Sequence, residues 1–326
     1  MTPARPASGR LAGEPGPVMR WVAGARPRTL PAAVVPVVVG TAAARPWTGV
    51  WSGCPSGLYW RALAALVVAL AIQVGTNYAN DYSDGIRGTD EVRVGPLRLV
   101  ASGLASPSSV RRAALAAFAL AAAVGLVLAA VTSWWVLLVG AACLAAGWFY
   151  TGGPKPYGYV GLGEVFVFVF FGLVATVGTF YVESLKIAVP GVVVAGAGIG
   201  LLATALLLAN NLRDIATDRE AGKKTLASRI GRKAGGWCYV ASVVLPFLGV
   251  AVWAIGSLTG QWTSHWPLVA VLPLAAAVLA VAPVRLVLSP AEGRALLPVL
   301  AATGRLQMAF GALLAVAVFL WIPAVR

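Results

Sequence analysis

The sequence has few of the residues from which soluble enzymes usually build metal and redox sites. It has one histidine, His265, and three cysteines, Cys54, Cys143 and Cys238, which lie far apart in the chain. This spacing supports neither a zinc site of thiolate and imidazole ligands nor a framework of disulfides. Only 11% of the residues are charged, which is too few for an ordinary soluble domain.

Apolar sequence fills the chain instead: 59% of the 326 residues are hydrophobic, and the mean hydropathy is +0.83. The apolar residues come in long runs, and one membrane crossing takes about 20 of them. Because helices are the spanning structures compatible with such runs, the sequence predicts an all-α membrane protein. We expect nine transmembrane helices, at about 29–45, 58–80, 110–131, 134–151, 162–183, 190–211, 235–256, 265–288 and 305–322.

The basic residues predict how these helices are oriented. Of the 25 Lys and Arg residues, 21 fall in the N-terminal stretch or in the connections on the same side of the membrane. By the positive-inside rule, that side is the cytoplasm. We therefore expect a multi-pass protein of the cell membrane, with a disordered cytoplasmic tail over residues 1–19 and one transmembrane domain over residues 20–326. The net charge of +14 does not indicate nucleic-acid binding, because no basic stripe is interleaved with aromatic residues.

Aspartate is also scarce, and its placement is informative. The chain has five aspartates, and four of them belong to two clusters at the ends of the second and sixth apolar segments. With an asparagine at the start of each, the clusters are Asn77, Asp81 and Asp84, and Asn210, Asp214 and Asp218. Within each cluster the spacing places the three side chains near one helix face. Ionisable groups in a membrane-spanning helix cost free energy, and they usually mark a functional site.

The residue types in the two clusters predict a metal site. Mg²⁺ prefers oxygen ligands and is commonly held by one or two carboxylates together with substrate phosphates. Two such clusters facing one cavity would clamp a Mg²⁺-bound polyphosphate from both sides, at the cytoplasmic face. We predict all six residues as metal ligands and the four aspartates as catalytic. The repeated pattern indicates two four-helix units and a ninth helix, with the basic connections capping the cavity.

Cations near the clusters would bind the phosphates. We predict Arg93 and Arg98 in the first basic connection, and Arg213 and Lys223 in the second, as phosphate-binding residues. The amides would bind substrate as well, and they are Asn77, Asn80, Asn210 and Asn211. The alternative is that the basic residues only anchor the connections to the membrane.

A third polar stretch runs from Tyr150 to Tyr159 and contains Lys155 as its only charge. The prolines on either side of Lys155 favour an extended backbone. We predict that Lys155 reaches the leaving group, while Tyr150 and Tyr157 line an aromatic pocket. The alternative is an aromatic belt at the membrane interface around a tight turn.

Taken together, these motifs resemble those of the UbiA-type intramembrane prenyltransferases, over about residues 20–322. Among them, the sequence is most similar to the 1,4-dihydroxy-2-naphthoate polyprenyltransferases of menaquinone synthesis. The motifs that carry the resemblance are Asn80-Asp81-Tyr82-x-Asp84-Gly85, Gly88-Thr89-Asp90, Gly95-Pro96-x-Arg98, Tyr150-Thr151-Gly152-Gly153-Pro154, Gly161-x-Gly163-Glu164, Asn210-Asn211-x-Arg213-Asp214-x-x-x-Asp218 and Gly222-Lys223-Lys224-Thr225-Leu226.

The resemblance implies a nine-helix bundle and Mg²⁺-dependent transfer of a prenyl group. The donor would be polyprenyl diphosphate and the acceptor 1,4-dihydroxy-2-naphthoate, which loses CO₂ as demethylmenaquinol forms. The prenyl tail would lie in an apolar groove open to membrane lipid, lined by the fourth to sixth segments. Asp81 and Asp84 are three residues apart, which leaves open whether Asp84 binds the metal or orients its waters.

Two alternatives stay open at this point. Within the same class, the acceptor is another aromatic compound, such as 4-hydroxybenzoate or homogentisate, or a phosphoribosyl group. In a different class, the chain is a transporter with inverted repeats and carboxylates at mid-membrane. Against the transporter, both clusters lie at the ends of apolar runs and no run is broken at mid-depth.

Overall fold

The computed structural model describes residues 16–48, 56–88, 97–187, 189–261 and 266–321. Within these ranges every regular element is a helix, which confirms the all-α prediction. Besides three short 3-10 helices at Pro27–Thr29, Arg45–Trp47 and Tyr157–Val160, they are in chain order α1 (Pro17–Gly24), α2 (Pro31–Ala44), α3 (Ser56–Ile86), α4 (Pro107–Val131), α5 (Val136–Phe149), α6 (Gly163–Ser184), α7 (Pro190–Arg213), α8 (Ile215–Glu220), α9 (Leu226–Leu258), α10 (Pro267–Leu288) and α11 (Gly293–Leu320).

Seven of these helices are long and apolar enough to cross a membrane, and they are α3, α4, α6, α7, α9, α10 and α11. An eighth span results if Pro17–Thr29 and Pro31–Trp47, which meet at an angle of 56°, form one broken span. Helix α5 is apolar but has only 14 residues, fewer than one crossing usually takes. The multi-pass architecture is therefore confirmed, and the count of nine spans stays a prediction.

The predicted N-terminal tail lies mostly outside the described residues, which begin at position 16. Pro17 to Met19, the last three residues assigned to that tail, form the first turn of α1 instead. Pro17 suits this position, because the first turn of a helix needs no backbone N–H from it. The disorder of the preceding residues stays a prediction.

Successive long helices alternate in direction, so their termini collect at two ends of the bundle. One end, called the carboxylate end below, holds both aspartate clusters, because α3 and α7 both finish there. The opposite end is called the distal end. The described basic residues of the distal end are Arg45, Arg61 and Lys186, which match the minority side of the predicted charge distribution.

Helices α6 and α7 pack closely against each other. An added Cβ at Gly172 of α6 would lie 2.4 Å from Cα of Gly200 and 2.6 Å from the carbonyl oxygen of Gly196, both on α7. Small residues permit this approach of two membrane helices. Next to this contact, Phe168–Val174 is wound as a π-helix, a form often found at functional sites.

Candidate functional site

A cavity of about 570 Å³ runs along the bundle from the carboxylate end to the distal end. On α3 alone its lining extends from Ala65 to Asp84, and at 1.5 Å of rise per residue this segment spans about 28 Å. The carboxylate end of the cavity is polar. Beyond it the lining is mainly apolar, with residues such as Leu144, Phe170 and Leu206 on α5, α6 and α7.

Most of the predicted site residues meet at the polar end of this cavity. Those that line it are Asn77, Asn80, Asp84, Arg98, Tyr150, Tyr157, Asn210, Asn211, Arg213, Asp218 and Lys223. They come from distant parts of the sequence, so the fold brings the two clusters to one site. Arg93 lies outside the described residues, and its predicted role stays a prediction.

Asp84 is the point at which the two basic connections converge. Its side chain is buried, and its Oδ1 accepts a hydrogen bond from the Tyr159 hydroxyl at 2.5 Å. The ammonium of Lys223 lies 3.3 Å from Oδ1, and Nη2 of Arg98 lies 3.7 Å from Oδ2. Since Arg98 and Lys223 are themselves more than nine-tenths buried, the three charges compensate one another in a poorly solvated place.

Asp81 has a different environment, although it is on the same helix. It is fully buried, and its two oxygens accept the backbone N–H groups of Leu99 at 2.8 Å and Val100 at 3.0 Å. Buried backbone N–H groups need acceptors, and Asp81 supplies them for the chain that re-enters after α3. Asp81 is not part of the cavity lining, so in this structure it holds the segment that carries Arg98.

The second cluster divides in the same way. Asp214 accepts two hydrogen bonds of 2.6 Å from Nε and Nη2 of its neighbour Arg213 and is not part of the cavity lining. Asp218 does line the cavity, and its Oδ2 accepts from the Thr225 hydroxyl at 3.2 Å. Its carbonyl oxygen accepts from the backbone N–H of Lys223 at 2.7 Å. One aspartate per cluster therefore faces the cavity, and the other organises a cationic residue beside it.

The amides of the first cluster tie the site to neighbouring segments. Nδ2 of Asn77 donates to the carbonyl of Ala25 at 2.8 Å and to the Thr29 hydroxyl at 3.0 Å. Oδ1 of Asn80 accepts from the Thr151 hydroxyl at 2.7 Å. These bonds join α3 to the turn before α2 and to the connection after α5.

The amides of the second cluster have separate partners. Nδ2 of Asn210 donates to the Leu206 carbonyl of its own helix at 3.2 Å. Nδ2 of Asn211 donates to Oε1 of Glu164 at 2.8 Å, and both side chains are buried. Glu164 is thus a buried acid beside the cavity, at the start of α6.

The structure does not bring Lys155 to the cavity. Its side chain is exposed, and it is not among the lining residues. The inward side of this connection is occupied by tyrosines, because the Tyr157 hydroxyl donates to the Ala146 carbonyl at 2.8 Å and Tyr159 reaches Asp84. This placement gives no support to the predicted contact between Lys155 and a leaving group.

The two tyrosines of the predicted aromatic pocket lie close together at this point. The rings of Tyr150 and Tyr157 meet edge-on with centroids 5.4 Å apart, and Tyr157 stacks on Phe166 at 3.9 Å. All three line the cavity. Burial, with a smaller effect of the neighbouring Tyr150, raises the pKa of Tyr157 above its ordinary value, so its hydroxyl stays protonated.

Sequence reasoning missed several polar residues at this end of the cavity, and they are Arg26, Thr29, Gln73, Thr76, Thr151, Tyr159 and Thr225. Gln73 could have been identified from the sequence, because it lies one helical turn before Asn77. Tyr159 could also have been identified, since it belongs to the tyrosine-rich stretch around Lys155. No sequence pattern pointed to Arg26, because only the tertiary packing of the turn before α2 brings it to the site.

The donor set fits Mg²⁺ in part. The described residues contain no group of three or more His, Cys, Asp or Glu side chains that could hold a metal ion by themselves. The cavity does present two carboxylates, Asp84 and Asp218, with amide side chains beside them. Such an oxygen-only set suits Mg²⁺ when substrate phosphates and water complete its coordination.

Comparison with known proteins decides the family. Residues 33–297 match the UbiA prenyltransferase family. The chain belongs to this family. Membership confirms the resemblance that the two aspartate motifs indicated, and it sets aside the transporter that the sequence had left as an alternative.

Similar proteins cover most of the chain. A 1,4-dihydroxy-2-naphthoate octaprenyltransferase from Mycobacterium tuberculosis is 48% identical over 285 residues, which are 87% of this chain and 91% of that protein. One of the same name from Escherichia coli is 36% identical over 249 residues, 74% and 78% of the two chains. A UbiA homolog from Archaeoglobus fulgidus, solved bound to DMAPP and Mg²⁺, has a TM-score of 0.60 at 17% identity and covers 92% of this chain and 99% of that one. The last likeness shows the shared fold.

Proposed function

We propose that this UbiA family member transfers a polyprenyl group from polyprenyl diphosphate to 1,4-dihydroxy-2-naphthoate in menaquinone synthesis. The products are demethylmenaquinol, CO₂ and diphosphate. One observation carries the proposal: a single cavity joins a polar end, with two carboxylates and buried cations, to a long apolar part. The two relatives named as transferases to this acceptor, at 48% and 36% identity, support the choice of acceptor.

The polar end holds the diphosphate. Arg98, Arg213 and Lys223 line it and carry the positive charge that a diphosphate needs. Asp84 and Asp218 would hold Mg²⁺, with amide oxygens of residues such as Asn80 and Asn210 nearby. When bound, the metal neutralises part of the charge on the leaving diphosphate.

Asp81 and Asp214 act one step away from the substrate. Asp81 holds the backbone at Leu99 and Val100, directly after Arg98, and Asp214 holds the guanidinium of Arg213. Both aspartates thereby fix the position of a cation that faces the cavity. Fixed cations stabilise developing negative charge better than mobile ones, because they need no reorganisation as the charge forms.

The reaction follows from this arrangement. As the allylic C–O bond breaks, its electron pair leaves with the diphosphate, and Arg98 and Lys223 stabilise the added charge. The ring carbon that bears the carboxylate forms the new C–C bond to the allylic carbon. The bond to the carboxylate then breaks, CO₂ leaves, and its electron pair restores the aromatic ring. The apolar walls and the rings of Tyr150 and Tyr157 keep water away from the allylic cation.

The placement in the membrane follows from charge. We propose nine spans in the cell membrane, counting α5 and the broken pair at α1 and α2, with the N-terminus in the cytoplasm. The site then opens to the cytoplasm, and the connections that carry Arg98 and Lys223 cap it. The apolar part of the cavity contacts membrane lipid, from which a polyprenyl substrate enters.

The test is an acceptor assay on membranes that contain the protein. Each reaction receives Mg²⁺, a labelled polyprenyl diphosphate and one of three acceptors: 1,4-dihydroxy-2-naphthoate, 4-hydroxybenzoate or homogentisate. We expect prenylated product and CO₂ with the naphthoate only, and no product after Mg²⁺ is removed with a chelator. Product from a different acceptor and none from the naphthoate would refute the proposed acceptor.

A further inference from the structure

Two aromatic residues meet at the distal end of the cavity. Trp135, just before α5, and Tyr181, near the end of α6, both line the cavity. The indole Nε1 of Trp135 donates to the Tyr181 hydroxyl at 3.1 Å, and the ring centroids are 4.7 Å apart. Tyr181 is buried, whereas Trp135 is 40% exposed. The pair is therefore a wall with one side facing the cavity and the other facing outward.

Apolar residues from four helices support this wall. Buried Val37, Ala65, Leu128 and Val182 pack in one cluster with Tyr181. All of them line the cavity. Of these residues, Ala65 lies on α3 about 28 Å from Asp84 by helical rise. A chain that starts at the polar end and follows the cavity therefore meets the pair at its far end.

Three glycines leave space along the cavity between its polar end and the aromatic pair. Gly125 of α4, Gly140 of α5 and Gly178 of α6 line it, and a Cβ added at any of them would meet nothing within 4 Å. Gly147, which also lines the cavity, is different, since its Cβ would lie 2.6 Å from the Thr76 hydroxyl oxygen. At the first three positions, a larger side chain can therefore fill the cavity without displacing neighbouring atoms of the protein.

We propose that the Trp135–Tyr181 pair ends the apolar part of the cavity and determines how much of a prenyl tail the enzyme accepts. This inference rests on the proposed function. Each isoprene unit that enters buries apolar surface and strengthens binding, until the tail reaches the pair. A further unit has to displace the Trp135 ring and break its hydrogen bond, so the gain in binding stops there.

The decisive variants are Trp135→Ala and Trp134→Ala. Trp134 is the adjacent tryptophan, is 63% exposed and does not line the cavity, which makes it a matched control. The measurement is kcat/KM for a series of prenyl diphosphates from geranyl to octaprenyl, with one acceptor. For Trp135→Ala we expect the chain length at which kcat/KM stops rising to increase, with a gain of about tenfold for the next longer substrate, the scale on which apolar pockets discriminate size. Trp134→Ala keeps the wild-type profile.

Gly178→Leu provides the opposite test, one helical turn before Tyr181. It fills the cavity short of the pair, so we expect about tenfold or greater loss for the longest substrates and wild-type rates for geranyl diphosphate. Gly249→Leu is its control, because Gly249 also has open space around it but lies outside the lining. Identical profiles for Gly178→Leu and Gly249→Leu, or for the two tryptophan variants, would overturn the inference. If the wild-type protein transferred no prenyl group from any of these substrates, the proposed function would be refuted instead.

Discussion

At the scale of single residues, helical periodicity predicted where the polar side chains cluster, but not which of them lines the cavity and which bonds to the backbone. Asn77, Asp81 and Asp84 share a narrow arc at about 100° per residue, and Asn77 and Asp84 line the cavity as expected. Asp81 lies at the edge of that arc, where the returning chain covers it and takes both of its oxygens. Periodicity describes one helix, and it contains no information on the segment that packs over it.

A stability measurement distinguishes these two kinds of aspartate. Asp81→Asn leaves one acceptor oxygen for two backbone N–H groups, that of buried Leu99 and that of partly buried Val100. We expect the free energy of unfolding to fall by about 1–3 kcal/mol, the cost of an unsatisfied buried donor. Thermal unfolding in detergent measures this, and a melting temperature equal to that of the wild type would show that the Asp81 carboxylate does not hold the segment.

At the scale of elements, the sequence predicted the helices well and the connections poorly. Long apolar runs specify helices because the membrane leaves no other way to pair the backbone. The connection after α5 has no such constraint, and the prediction placed Lys155 in the site whereas the structure turns Tyr157 and Tyr159 inward. Which of several polar residues turns inward depends on partners from α3 and from the connection before α9, which lie far away in sequence.

Arg87, the residue that follows α3, allows a test of how the connection after α5 is held in place. Its guanidinium donates to the carbonyls of Thr151 and Gly153 and lies over the Tyr159 ring with 5.5 Å to the centroid. We expect Arg87→Ala to free the connection, so that hydrogen exchange at residues 151–160 becomes at least about tenfold faster, which corresponds to about 1.4 kcal/mol of lost local stability. Activity should fall with it, because Tyr159 donates to Asp84.

Arg112→Ala is the control for this exchange experiment. Arg112 is also exposed and cationic, but its bond goes to Ser109 of the same helix, α4, three residues away. We expect this variant to leave exchange at residues 151–160 unchanged. Equal exchange in the two variants would show that Arg87 does not hold the connection.

At the scale of the whole molecule, charge asymmetry and the fold agree about the two ends of the bundle. The sequence assigned Arg45, Arg61 and Lys186 to the minority side, and the structure places all three at the distal end. Arg61 donates to the carbonyls of Val131 and Val182, near the C-terminal ends of α4 and α6, where a cation is favoured by the helix dipole. At the carboxylate end, the basic residues that line the cavity are Arg26, Arg98, Arg213 and Lys223.

The orientation itself is testable with two lysines at opposite ends of α6. Lys155 precedes this helix at the carboxylate end and Lys186 follows it at the distal end, and both are exposed. In a chain whose three cysteines are replaced by serine, Lys155→Cys and Lys186→Cys each provide one reactive thiol. With the carboxylate end in the cytoplasm, a membrane-impermeant maleimide should label the Lys186→Cys variant in intact cells and the Lys155→Cys variant only after permeabilisation. The reverse pattern would place the site on the outer face, where a diphosphate substrate made in the cytoplasm would have to cross the membrane before it could react.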